Sequence, residues 1–319
     1  MSTALLDAIR AVIQQDVNNR GLARDPHDNL FTACPADLEA ACRSIADNAQ
    51  AALAVITGFY IAHANPPCGE TDGPLGAIFL ARALTPLGVK ITLVTDSFCR
   101  RALEAGLKAC GLGDAVAVLT LPPPSHAWSV FLDLDWRPFT HQGPYRNGIP
   151  LTHLIALERV GPGRDGHCRN MRGLDISDHS APADMVFEDA VRRTPPLTTI
   201  GIGDGGNEIG MGKIPLEVIE QNIPNGAEIA CRVSADHLIV AGVSNWGAYA
   251  LAAGVAVLRG QRLPHSLFDV ETERGLLRIM VEKGPLVDGV TAQPALSVDG
   301  LPFDEYARPL RQLGELLGA

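Results

Sequence analysis

An α/β fold, with a mostly parallel sheet and helices on both of its faces, is what this chain predicts. Three observations carry that expectation. Short β-branched apolar runs alternate with longer stretches of helical spacing. Several of those runs end in a loop that carries glycine, threonine or an acid, as at Thr57-Gly58, Thr95-Asp96 and Gly203-Asp204. The composition, 46% apolar and 19% charged over 319 residues, is that of a folded chain with a core and not of a disordered one. Glycine (32) and proline (23) are both in excess, so where they concentrate matters. Lys plus Arg total 26 against 36 Asp plus Glu, a formal charge of -10. That excludes a general nucleic-acid binder, which needs a basic footprint to neutralise phosphates.

The elements follow in order. Leu5, Leu6, Ile9, Val12 and Ile13 give residues 1–20 a helical rhythm, and 53–56 reads as a strand ending at Thr57-Gly58. Glu70-Thr71-Asp72-Gly73-Pro74 introduces a helix over 75–84, with Asp72 a natural cap and Pro74 suited to the first turn. A strand over 89–94 ends at Thr95-Asp96, a helix runs through Leu107, and 115–119 is a third strand. Residues 122–150, opening on Pro122-Pro123-Pro124, show no periodicity and read as an irregular lid or insertion. Next come a strand over 151–157, a helix over 184–193 and a strand over 197–202 that enters a glycine-rich loop. A helix over 216–222, a strand over 228–233, and helices over 245–258, 271–283 and 304–317 complete the chain. The expectation is one domain over 1–319, three-layered and Rossmann-like, with the proline-rich insertion near 122–150.

The seven cysteines form no CxxC pair and are odd in number, which favours buried reduced thiols over a disulfide framework. The first twenty residues lack the apolar core of a signal peptide, and the longest apolar run, 248–258, is too short to cross a bilayer. A cytoplasmic protein that acts on a small molecule, without nucleic acid or membrane and with a homo-oligomer open, is expected. The histidines show neither HxH nor HExxH spacing, which argues against zinc, and no G-x-S-x-G elbow is present. Ser244, ahead of a helix, reads as a cap.

Glycine is densest in Gly201-Ile-Gly-Asp-Gly-Gly-Asn-Glu-Ile-Gly-Met-Gly-Lys213. Gly201, Gly203 and Gly206 satisfy G-x-G-x-x-G, but Asp204 and Glu208 would place negative charge where a pyrophosphate must approach. Gly203-Asp-Gly-Gly-Asn-Glu208 also looks like the metal loop of haloacid-dehalogenase-type phosphatases, with Glu70-Thr71-Asp72-Gly73 in place of their D-x-D-G segment. There Glu70 stands where the nucleophilic aspartate belongs, and its added methylene would misplace the attacking oxygen.

A third resemblance rests on more residues. Thr57-Gly58-Phe59, Glu70-Thr71-Asp72-Gly73-Pro74, Leu93-Val94-Thr95-Asp96, Glu158-Arg159-Val160-Gly161-Pro162 and Asn170-Met171-Arg172-Gly173-Leu174-Asp175-Ile176-Ser177 precede the glycine-rich loop in this order. Together they resemble the D-glutamate cyclase-like family, over most of the chain from about Gly21 onward. The resemblance implies dehydrating cyclisation of D-glutamate to 5-oxo-D-proline, a lyase reaction. A magnesium-dependent phosphatase, or a non-catalytic module binding an amino acid or metal, is the alternative.

That chemistry asks for a base to take protons from the amine, donors for the carboxyl oxygens and a tight fold of the substrate. Glu70, Asp72, Asp204 and Glu208 are the candidate catalytic acids. So many acids in one place call for a cation, and Asp72 with Asp204 are the candidate ligands of a divalent ion such as magnesium; helix capping is the plainer role for both. Thr57, Gly58, Thr71, Thr95, Asp96, Arg159, Asn170, Arg172, Gly205, Gly206, Asn207 and Lys213 are the candidate substrate contacts. Among them the arginines and the lysine suit carboxylates, and the glycine N–H groups suit an anion nest.

Overall fold

The structure is a computed structural model that describes residues 2–142 and 150–318. Its central sheet has six parallel strands: β1 (Ala52–Thr57), β2 (Lys90–Thr95), β3 (Ala117–Thr120), β4 (His153–Leu157), β5 (Thr198–Gly203) and β6 (His237–Val240). They lie in the order β3-β2-β1-β4-β5-β6, the order of a doubly wound sheet. Winding reverses between β1 and β4, and in such sheets the crevice outside the carboxyl ends at that reversal is where ligands bind. The register sets Thr57 opposite Leu157, and Leu157 opposite Ile202. Gly58, Glu158 and Gly203-Asp204 therefore emerge side by side at that crevice.

Alternation along the strands sends successive side chains to opposite faces. Leu53, Val55, Leu93, Ile155 and Ile200 point to one apolar core, while Ala54, Ile56, Val94, Leu154 and Ala156 point to the other. The first core is covered by α1 (Ser2–Ile13), α2 (Asp37–Ala46), α3 (Pro74–Leu84) and α4 (Ser97–Ala109). On the second face lies α5 (Ala183–Arg192). Back on the first are α6 (Ser244–Leu258), α7 (Val270–Lys283) and α8 (Arg308–Leu317). α3 and α6 are buried along almost their whole length, and they read as small-residue and aliphatic runs for that reason. The three-layer expectation holds.

Three local expectations fail. The segment after Pro124 is not irregular throughout: Trp128–Phe131, Leu132–Trp136 and Arg137–Gln142 form consecutive helical turns, the middle one π-helical. Trp128, Phe131, Leu132 and Trp136 recur every three or four residues and bury on the second core, a spacing masked by the surrounding prolines and aspartates. Residues 143–149 of that insertion lie outside the described residues. The strand expected over 228–233 is a helical turn, Gly226–Ile229, followed by extended backbone. That backbone bonds to loops instead of the sheet: Cys231 N donates to Gly206 O, and Val233 O accepts from Gly210 N and Gly212 N. The final expected helix is also interrupted, Phe303–Tyr306 being followed by α8.

Candidate active site

At the switch point, a cavity of about 260 Å³ opens at the carboxyl edge of the sheet. This lies near the lower end of the ~300–1,000 Å³ typical of small-ligand pockets. Glu70, Glu158, Asp204 and Asp299 line it together with Arg20, and Asp72 and Glu208 stand directly behind them. These carboxylates are between 1% and 6% exposed.

Each acid has a local reason to be there. Glu158 follows β4 with φ of 45°, an uncommon conformation for a side-chain-bearing residue, and turns its carboxylate to accept from Ser244 Oγ at 2.5 Å. Asp204 follows β5. Its Oδ1 accepts from Arg20 Nη1 at 2.5 Å and its Oδ2 from Ser244 N at 3.2 Å. Asp72 Oδ2 accepts from Ser244 N at 2.9 Å, and its Oδ1 from Asn245 N at 2.8 Å. The buried N-terminus of α6 is thus satisfied by two acids from other elements, where the helix dipole favours negative charge. Asp72 caps α6, not the helix it precedes, and Ser244 spends its hydroxyl on Glu158 without capping. Gly73, at φ 85°, leaves no room for a side chain: an added Cβ would lie 2.5 Å from Thr57 Oγ1.

Two remote segments complete the cavity. Asp16 accepts from the N–H groups of Arg20 and Gly21, folding the chain after α1 so that Arg20 reaches both Asp204 and, at 2.8 Å, Asp299. Asp299 and Gly300, both at positive φ, form the tight turn between Val298 and Leu301. Asp288 holds that turn, accepting from Gly300 N at 2.8 Å, and Thr71 N donates to Val287 O. Glu70 lies so close to Gly289 that a Cβ there would fall 1.8 Å from its Oε2.

The charges do not balance. Among the described residues, Arg20 is the cationic side chain in ion-pair contact with these acids. Burial, followed by repulsion from Asp299 and Asp72, holds the Glu70 carboxyl well above the usual carboxylate range. Burial likewise raises Asp72, Glu158 and Asp204, with neighbouring acids adding to it. Burial works against the charge on Arg20, but Asp204 and Asp299 outweigh it and keep the guanidinium firmly protonated. Asp299 Oδ2 is buried without a hydrogen-bond partner.

Other sequence-selected residues lie elsewhere or do local work. Arg159 and Asp96 pair with each other; Arg159 is fully buried, and it also donates to Gly58 O at 3.1 Å and Ala181 O at 2.6 Å. Thr95 Oγ1 donates to Thr57 O, the Thr57 hydroxyl is buried without a partner, and Thr71 Oγ1 donates to Ser297 O. Lys213 sits apart, on Asp37 Oδ2 and Asp236 O, each at 2.5 Å. The nest expected at Gly205 and Gly206 is filled from within, because Glu208 accepts from the N–H groups of Asp204, Gly205 and Gly206 at 2.6–2.8 Å. Asn170, Arg172 and Asn207 do line the cavity. Sequence reasoning did not single out Arg20, Asp288 or Asp299, and it quoted Glu158 only as part of a motif. The Asp299-Gly300 pair was a readable turn signal; nothing local marks Arg20.

Fold and site together define a doubly wound α/β protein with a small acid-lined pocket at the switch point of its sheet. The chain belongs to the D-glutamate cyclase-like, C-terminal family, which it matches over residues 9–314. It is 30% identical to the mitochondrial D-glutamate cyclase of Homo sapiens over 98% of its own length, and it spans about half (52%) of that relative. The dinucleotide and phosphatase alternatives gain no support. The Gly201–Gly206 loop opens no helix and its N–H groups are taken, and Glu70 is separated from β1 by the hairpin Tyr60–Ile61/Cys68–Gly69. Among the described residues no helix is long and apolar enough to cross a membrane.

Proposed function

We propose that this protein is a carbon–oxygen lyase that cyclises D-glutamate to 5-oxo-D-proline and water. The observation that carries the reading is a buried excess of carboxylates around one arginine, in a pocket of metabolite size, on a member of this family. A substrate ammonium supplies the missing positive charge. In the reaction the amine nitrogen bonds to Cδ, the Cδ–O bond breaks, and the departing oxygen leaves as water with two of the ammonium's three protons. Glu70 and Glu158, raised by burial, are suited to accept a proton from nitrogen and return one to the leaving oxygen. Arg20 fixes Asp204 and Asp299 so that the acids keep their places when the substrate enters. Asp72 and Glu208, with their oxygens held by backbone N–H groups, serve as supports for α6 and the glycine-rich loop.

Magnesium belongs to this proposal as an auxiliary. Asp72, Asp204 and Asp299 offer oxygens within 4.8 Å of one another, and the unpartnered Asp299 Oδ2 fits a hard cation. When bound, such an ion would polarise the carboxyl group under attack. All seven cysteines are free, which suits a reducing compartment such as the cytoplasm. Incubating the pure chain with D-glutamate, with and without magnesium, and measuring 5-oxoproline by chromatography tests the reading. Product is expected, and none under either condition would overturn it. Thermal stabilisation by D-glutamate without product would assign the chain to a binding module.

A further inference from the structure

The cavity is polarised from floor to rim. Its floor carries the buried acids Glu70, Glu158, Asp204 and Asp299, while Arg172 and His63 line it as exposed residues at the opening. Arg172 and His63 are close enough for the guanidinium to depress the imidazole's basicity, second to desolvation. Arg172 is also deliberately presented. Asn170 Oδ1 accepts from the N–H groups of Arg172 (3.0 Å) and Leu174 (3.1 Å), and Asn207 Nδ2 donates to Arg169 O at 2.7 Å. Asn225 Nδ2 donates to Met171 O at 3.1 Å. Among the described residues the guanidinium itself donates to Val290 O at 3.2 Å, which leaves most of its five donors for a ligand.

Resting on the cyclase reading, we propose that the ligand enters with its ammonium and its reacting carboxyl group toward the acidic floor. Its second, unreacting carboxylate stays at the rim, where Arg172 reads it. Ring closure brings the nitrogen and Cδ together, so both reacting groups must share one end of the cavity, and the α-carboxylate projects from the forming ring. Either placement brings one carboxylate to Glu70, Glu158 and Asp299. The reacting one loses its charge as the ring closes, whereas the α-carboxylate would stay an anion there, with Arg20 already engaged. The class of ligand selected is a short amino acid with a carboxylate at each end. His63 lines the same rim as a weaker contributor.

Calorimetric titration separates the parts. The ligands are D-glutamate, glutarate (no amine) and 4-aminobutanoate (no α-carboxylate), against wild type, Arg172→Gln and Arg172→Lys. Glutarate is expected to bind roughly tenfold or more weakly than D-glutamate. Arg172→Gln should weaken D-glutamate by roughly tenfold to a hundredfold, the worth of a charge-assisted contact, and 4-aminobutanoate by less than about twofold. Arg172→Lys should recover part of the loss. If 5-oxoproline forms but Arg172→Gln weakens both amines equally, or glutarate matches D-glutamate, the orientation is wrong and the cyclase reading stands. If wild type binds none of the three ligands, both fall.

Discussion

Two buried charge sites stand within the same strand-end layer and solve opposite problems. At one, Arg159 meets Asp96, Gly58 O and Ala181 O, while Asp96 also accepts from Ala181 N, so charge is matched inside the protein. At the other, Glu70, Asp72, Glu158, Asp204 and Asp299 share Arg20. The matched pair ties β2, β4 and the loop before α5 together; Arg159 Nε is buried without a hydrogen-bond partner, but the charge of the pair is balanced. The mismatched cluster holds mutually repelling acids, whose repulsion a bound cation or ammonium would relieve. Residue type and strand-end position are alike in the two; what differs is the local sum of charge.

The largest expected effect sharpens that contrast. Glu70→Gln should lower the rate of 5-oxoproline formation by roughly a hundredfold or more, the usual worth of a proton-transferring side chain. It should leave thermal stability equal or higher, because a buried repulsive charge is removed. A melting temperature that falls along with the rate would make Glu70 a structural residue. Next, Arg159→Met should destabilise the fold by about 3–5 kcal/mol in urea unfolding, since Asp96 is left buried without its cation. A loss below about 1 kcal/mol would show that the pair is not the matched site described here.

Gly289→Ala is a finer probe of the cluster. The new methyl displaces the Glu70 carboxyl and should reduce turnover by up to roughly a hundredfold, with little change in unfolding. Unchanged kinetics would place the Glu70 carboxyl outside the chemistry. The smallest effect is on pH. Glu70, Asp72, Glu158 and Asp204 are raised in the folded state, so between their ordinary values near ~4 and their raised values the folded chain binds more protons than the unfolded one. This contribution is fully present below the ordinary values and is lost as pH rises through the raised ones. The melting temperature should therefore climb as pH is lowered from about 8 to about 5, and Glu70→Gln should flatten the slope. A wild-type melting temperature that rises with pH over this range would contradict the charge imbalance.

Much of the fold was legible because its cause is local. Alternating runs marked all the central strands except β6, which is short and follows a misread extended segment. The candidate site was legible only in part. Glu70, Asp72 and Asp204 announced themselves as acids beside glycine at strand or helix ends. Asp96 and Arg159 carried the same local signs, and only the three-dimensional pairing assigns them to each other. Glu208 reads locally as a ligand group, but its carboxylate fills its own loop's N–H nest. Arg20 and Asp299 come from opposite ends of the chain and meet by tertiary folding, which leaves no spacing to read.

The most direct measurement sets the two charge sites against each other in one assay: 5-oxoproline formed from D-glutamate per folded molecule by Glu70→Gln and by Asp96→Asn. The expected result is a well-folded, nearly inactive Glu70→Gln and a less stable Asp96→Asn that retains turnover in its folded fraction. Full turnover by Glu70→Gln, or turnover lost from folded Asp96→Asn alone, would contradict the assignment of the chemistry to the unmatched cluster.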